Sequence, residues 1–211
     1  MNVDAGLAAA VADGLGIEVP EAQEAVAPRN NRPEVKKSPA LSLFARPGDG
    51  SIRTRRVAIL VADGVDGGVA RAIHAALLAE GAVPRFVGPR LGTVRGGNGQ
   101  DLEVEITMET APSVLFDALA IPEGAGGAQV LAALGHAVEF VKDTYRHCKP
   151  ILAVGAGTQL LEAAKLPPEL PDGKPDPGLL AADAAEAVMP QFIAAIAKHR
   201  HFERQTDPPR V

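Results

Sequence analysis

Three carboxylates and one strand-to-helix turn are the places where this chain could hold chemistry. Asp63, Asp66 and Glu123 follow short apolar runs that end in glycine-rich loops, and Ile151-Leu152-Ala153-Val154 runs into Gly155-Ala156-Gly157 and then a helical pattern through Leu160, Leu161 and Ala164. A buried strand turning sharply into a helix aims backbone N–H groups at the mouth of a sheet and exposes the residue at its tip, where hydrolases keep a Ser or Cys nucleophile. Here the tip is Gly155, followed by Ala156. The turn has the geometry of a nucleophile elbow with no thiol, hydroxyl or base to use it. The three carboxylates stand at strand ends, the edge where α/β sheets place their sites, and without a nucleophile they read as acids with no partner.

The remaining reactive residues make no constellation. Cys148 is the one cysteine, so the chain has no intrachain disulfide and no Cys-rich zinc site. His147-Cys148-Lys149 falls at a helix end, where a cation complements the helix C-terminus and a structural role outweighs a Cys–His pair. The five histidines, His74, His136, His147, His199 and His201, show no i, i+4 pair with a carboxylate, so no metal is expected. His199-Arg200-His201 opens a charged run read as solvated. Neither Gly64…Gly67-Gly68 nor Gly124-Ala125-Gly126-Gly127 fits the dinucleotide fingerprint, and Gly155-Ala156-Gly157 has Leu160 where that fingerprint needs Gly or Ala.

These residues need a sheet to hold them, and the chain supplies one. It has 211 residues, 46% of them hydrophobic, with 3% aromatic and no Trp, enough apolar material for one core built on Ala, Val, Leu and Ile. A net charge of −5 and the scarcity of aromatic stacking surfaces argue against a nucleic-acid partner. No apolar run approaches the roughly 20 residues of a membrane span, and the N-terminus lacks signal-peptide character, so no membrane partner and a cytoplasmic location are expected. Residues 1–54 read as a short amphipathic helix, with Leu7, Val11 and Leu15 on one face, followed by a Pro-rich extended linker. That linker carries an anomalous apolar stretch, Ala40 to Phe44, which suggests a segment lying in a groove of something larger. Residues 55–201 alternate strand and helix. The strands are Arg56–Ala62, Val83–Val87, Asp117–Pro122, Ile151–Val154 and a short one near Leu179-Leu180; Gly88–Thr110 reads as a hairpin at the sheet's edge. The helices include one through Val69, Ile73 and Leu77, two at 128–134 and 136–147, and a last one through Met189, Phe192, Ile193 and Ile196. Tyr145 is placed on a surface helix. Residues 202–211 form a charged tail. Such alternation predicts an α/β fold: a flavodoxin-like three-layer sandwich whose mainly parallel sheet is covered by helices on both faces.

The elbow resembles that of the class I glutamine amidotransferase-like superfamily, in which a strand ends Ala-Ile-Cys-His-Gly-Pro. Gly155 falls on the family's Cys and Ala156 on its His, and the resemblance implies that Asp66 stands near the acid that activates that Cys, here vestigial. Over nearly the whole chain, Ser113-Val114-Leu115-Phe116-Asp117-Ala118, Lys149-Pro150-Ile151 and Ala197-Lys198-His199-Arg200-His201-Phe202-Glu203-Arg204 are similar to the C-terminal domain of large-subunit monofunctional haem catalases. Ser38-Pro39-Ala40-Leu41-Ser42 and Arg55-Arg56-Val57-Ala58-Ile59-Leu60 resemble the connector before it. Glu123 departs from the pattern by standing where the resemblance implies a glycine.

The resemblance implies a domain without a catalytic site or cofactor of its own. Haem would belong to a catalase core absent from this chain, since Tyr145 is the only tyrosine and lacks the surroundings of a proximal haem ligand. The implied partners are that core or like subunits, with a stabilising role in the catalase assembly and an ATP-independent chaperone action on unfolded client proteins. Two other readings remain: a residual hydrolase or glyoxalase-like activity through Cys148 or a carboxylate, and a small-molecule or flavin site at the sheet's carboxyl edge.

Overall fold

A computed structural model describes residues 4–22, 38–42 and 49–211. The chain divides into two units, Met1–Pro47 and Gly48–Val211. In the first, helix α1 (Ala5–Leu15) starts where the Asp4 carboxylate accepts from the Leu7 N–H and stops at Gly16, which takes the left-handed conformation that glycine tolerates best. Leu7, Val11 and Leu15 are exposed. Pro39–Leu41 forms a single 3₁₀ turn with Leu41 exposed. Leu43 and Phe44 of the apolar linker stretch lie outside the described residues.

The second unit is the expected sheet sandwich. Its strands are β1 (Arg56–Leu60), β2 (Val83–Gly88), β3 (Gly92–Val94), β4 (Leu102–Val104), β5 (Ile106–Thr107), β6 (Ala118–Ile121), β7 (Ile151–Val154) and β8 (Leu179–Ala182). Six of them make one parallel sheet in the order β5-β2-β1-β6-β7-β8. The hairpin expected at Gly88–Thr110 is real but separate. β3 and β4 pair antiparallel as a sheet of their own, while Ile106-Thr107 joins the edge of the main sheet in parallel with β2.

Continuous apolar strands are what a sheet buried on both faces requires, and the period of two along each strand divides one sequence run between two cores. Val57, Ile59, Ala118, Ala120, Leu152 and Val154 face α2 (Gly67–Ala79) and α6 (Ala185–Lys198), where Ile73, Leu77, Phe192 and Ile196 meet them. Ala58, Leu60, Leu119, Ile121, Ile151 and Ala153 face the other way, toward α3 (Ala125–Ala132), α4 (Gly135–Arg146) and α5 (Thr158–Ala163), with Leu131, Val141 and Leu160 among their neighbours. Two clusters therefore stand where a single core is expected, because the sheet lies between them. No helix among the described residues is long and apolar enough to cross a membrane.

Three local assignments are corrected. Helix α3 begins at Ala125, inside the glycine run taken as a loop. Tyr145 is buried rather than on a surface, since α4 turns that side of itself to the sheet. The run after α6 is not solvated: His201 is 1% exposed, and Phe202–Arg204 forms a 3₁₀ turn that drives Arg204 inward. There the Arg204 Nε donates to Asp176 Oδ2 at 2.5 Å, its Nη2 to Oδ1 at 3.2 Å, and its Nη1 to the Lys149 carbonyl at 2.6 Å. Asp176 also accepts from the Gly178 N–H at 2.8 Å, just before β8. Both side chains of the ion pair are 1% exposed, so each is tolerated only because the other is there.

Asp176→Ala strands the Arg204 guanidinium in that interior and should cost about 3–5 kcal/mol, a fall of about 6 °C or more in Tm for a domain of this size. Urea unfolding of Asp176→Ala, Arg204→Met and the double variant checks it. The double variant is expected to lose less than the sum of the singles, and additivity would contradict the pairing.

Candidate functional site

The chain order of the sheet reverses between β1 and β6: from β1 it winds outward to β2 and β5, then returns to β6 on β1's other side. In α/β sheets the crevice beyond the strand ends at such a reversal is where ligands bind. The loops opening there are 61–66 after β1, 122–124 after β6 and 155–157 after β7, and they carry the candidate residues Asp63, Asp66, Glu123, Gly155 and Ala156.

All three acids have partners, contrary to the expectation that they stand alone. Asp63 accepts from the Arg90 guanidinium at 3.0 Å and from the Arg95 N–H at 2.9 Å. Asp66 is the N-cap of α2: its Oδ1 accepts from the N–H groups of Gly68 and Val69 at 2.8 and 2.9 Å and from the Asn98 amide at 2.8 Å. A carboxylate so engaged serves the helix start. The loops that carry these acids close on one another through backbone, the Asp66 N–H donating to the Glu123 carbonyl at 2.8 Å. Gly124 has φ +131°, and a Cβ there would lie 2.5 Å from the Asp66 nitrogen, so the approach requires glycine.

The third acid takes the elbow itself. Gly155 has φ +52°, and an ideal Cβ built on it would sit 1.3 Å from Glu123 Oε2. The same oxygen accepts from the Ala156 N–H at 3.0 Å. The volume in which an elbow holds its nucleophile is filled from the neighbouring loop by a carboxylate, which takes the N–H group of the residue after the elbow, the donor that would face a developing oxyanion. The Gly155 carbonyl accepts from Thr158 Oγ1 at 2.9 Å, closing the turn into α5. The signal for this arrangement was visible in sequence as Glu123 standing in place of a glycine; its connection to Gly155 was not.

Cys148 lies at the other end of β7, before the strand. It is buried, and burial pushes its thiol above the ordinary value, the reverse of what an activated nucleophile needs. The His201 N–H donates to its carbonyl at 2.7 Å. Lys149 does not complement the end of α4 as expected: it turns inward, 3% exposed, and its Nζ donates to the Ser113 carbonyl at 2.7 Å. Burial, with a contribution from Arg200, brings its ammonium down to about 8. Tyr145 lies under the Arg204 guanidinium, 4.6 Å from its ring centroid, with its hydroxyl buried. Among the described residues, no three His, Cys, Asp or Glu side chains are placed to hold a metal ion.

Residues 53–206 match the family model of the C-terminal domain found in long catalases. The catalase HPII of Pseudomonas aeruginosa is 35% identical over 205 residues, which cover 97% of this chain and 27% of that protein. The catalase HPII of Mycobacterium avium is 38% identical over 217 residues, 98% of this chain and 30% of that protein. The chain thus spans under a third of the length of these relatives. Among solved structures, a two-domain protein of Anabaena variabilis containing DJ-1/ThiJ/PfpI-like and ferritin-like domains is similar with a TM-score of 0.51 and 25% identity, covering 54% of this chain and 33% of that one. That likeness agrees with the α/β, flavodoxin-like architecture.

Gly155→Cys forces a side chain into the left-handed region, at about 1–2 kcal/mol, and displaces Glu123 as well. We expect a Tm drop of about 4 °C or more from the single variant, and a Glu123→Gly/Gly155→Cys double variant that loses less than the two singles summed. Its thiol should react with iodoacetamide and turn over neither glyoxals nor small esters. A double variant that is strictly additive would contradict the overlap.

Proposed function

Because the chain belongs to the family of C-terminal domains found in long catalases, we propose that it is a non-catalytic domain that stabilises a catalase assembly in the cytoplasm, associating with a haem-containing core or with like subunits. In this reading the disproportionation of hydrogen peroxide, and the haem it requires, belong to that core. The observation that carries it is the carboxylate of Glu123 in the place of an elbow nucleophile: the crevice where this fold does chemistry is closed by the chain's own side chain. Hydrolase or glyoxalase action through Cys148 is disfavoured by the burial of its thiol, and a turnover of glyoxals abolished by Cys148→Ser would reverse that judgement. The test of the stabilising role is a graft. The M. avium catalase HPII is prepared intact, without the segment matched here, and with that segment replaced by this chain, and peroxide turnover is followed after heating. The graft is expected to recover most of the heat resistance lost on deletion; a graft as labile as the deleted protein would end the proposal.

A chaperone action is the second reading, favoured by one observation: Leu7, Val11 and Leu15 are exposed along α1, and Leu41 is exposed after it, on a chain of net charge −5. Exposed apolar side chains on a charged protein can hold the apolar segments of an unfolding client while the charge keeps the complex dispersed. No P-loop pattern occurs, so no ATP is required. The full chain should reduce light scattering from a heated client protein, and a Leu7→Ser/Val11→Ser/Leu15→Ser variant should reduce it less. Scattering unchanged by the full chain would dispose of the reading.

A further inference from the structure

At the amino-terminal edge of the sheet, opposite the elbow, lies a cavity of about 340 Å³ lined by Arg146, His147, Cys148, Lys149, Arg200 and three further residues, Val114, Phe202 and Gln205. Among the described residues no carboxylate lines it. Arg146 is engaged with Asp143 at 3.2 Å and with the Val211 carbonyl at 2.5 Å. The other two cations have no such partner: among the described residues neither Lys149 nor Arg200 forms an ion pair. Lys149 is nearly fully buried and gives its Nζ to one carbonyl, that of Ser113. Arg200 is half-buried, and among the described residues its one side-chain hydrogen bond runs from Nη1 to the His199 carbonyl at 2.9 Å. The nearby acid Asp117 is committed elsewhere, to Arg55 at 3.6 Å, His199 at 3.4 Å and the Arg56 N–H at 2.9 Å.

Two desolvated cations side by side repel each other, and an interior retains such a pair when a counter-charge comes with it. Here Asp117 and Asp143 act only from a distance and neither forms an ion pair with Lys149 or Arg200, whereas the same unit supplies Asp176 directly to the equally buried Arg204. We propose that this cavity is a binding site for an organic carboxylate, seated between Lys149 Nζ and the Arg200 guanidinium with its hydrocarbon portion against Val114 and Phe202. A guanidinium presents paired donors matched to a carboxylate, and an ammonium adds a point charge. Val114 and Phe202, 66% and 51% exposed, give the mouth an apolar edge, which an organic acid can cover and inorganic phosphate cannot. The volume falls in the range of about 300–1,000 Å³ usual for ligand sites. Burial, and after it the neighbouring Arg200, brings the Lys149 ammonium down to about 8. This site shares no residue with the elbow, and it stands whether or not the domain stabilises a catalase.

The carboxylate could be free or belong to a glutamate of another polypeptide, and isothermal titration at constant ionic strength separates these with three probes: succinate, a capped Leu-Glu-Leu tripeptide and inorganic phosphate. The full chain is expected to bind succinate or the tripeptide more tightly than phosphate, and whichever binds better identifies the source. Arg200→Gln should weaken that binding about tenfold or more, the equivalent of one lost charge-assisted contact, and Arg200→Lys should fall between. Lys149→Met, whose side chain fills the same stem volume without charge, should abolish it. Binding of none of the probes, a preference for phosphate, or binding unchanged in Arg200→Gln would overturn the assignment.

Discussion

A parallel sheet that is dry on both faces confines polar chemistry to its two edges, and most of what distinguishes this molecule follows from how each edge is treated. The six strands alternate their side chains between two apolar clusters, so no polar group can be placed between layers without desolvation. At the carboxyl edge the loops neutralise themselves: Asp63 takes Arg90 and the Arg95 N–H, Asp66 takes the start of α2, and Glu123 takes Ala156. At the amino edge the chain buries Arg204 on Asp176, while among the described residues Lys149 and Arg200 have no ion-pair partner. One edge is closed from within and the other carries uncompensated charge.

The closure of the carboxyl edge depends on backbone approaches that side chains would forbid. Gly124 lets the loop after β6 lie against the residues that lead into α2, and Gly155 leaves its own side-chain volume to Glu123. The resulting contact is a packing of one loop into another with a hydrogen bond at its centre. A carboxylate held there is fixed by its own loop as well as by the Ala156 N–H, so the site is organised without a ligand.

How much of this was legible beforehand depended on sequence separation. The strands of the main sheet and the faces of α2 and α6 follow from apolar periodicity within a window of a few residues. The elbow at Gly155 was readable from its strand, its glycines and the helical pattern after it. The start of α3 was not, because Ala125-Gly126-Gly127 is helical for a tertiary reason: its backbone lies against Gly64 and Val65. The Asp176–Arg204 pair spans 28 residues, and the bond from Lys149 to Ser113 spans 36. Neither spacing carries a periodic signal, and a run such as His199-Arg200-His201 looks solvated until its distant partners are known. Glu123 was visible as an odd residue, but its role depended on geometry across two strands.

The overlap between Glu123 and the missing side chain of Gly155 also constrains the mutational routes open to this fold. Cysteine at 155 arriving first meets an occupied volume and carries the destabilisation of that overlap. Glycine at 123 arriving first vacates the volume at the loss of one hydrogen bond, a modest step that leaves the second substitution open. Passage from a plugged to a thiol-bearing elbow is therefore ordered, the change at 123 coming before the change at 155.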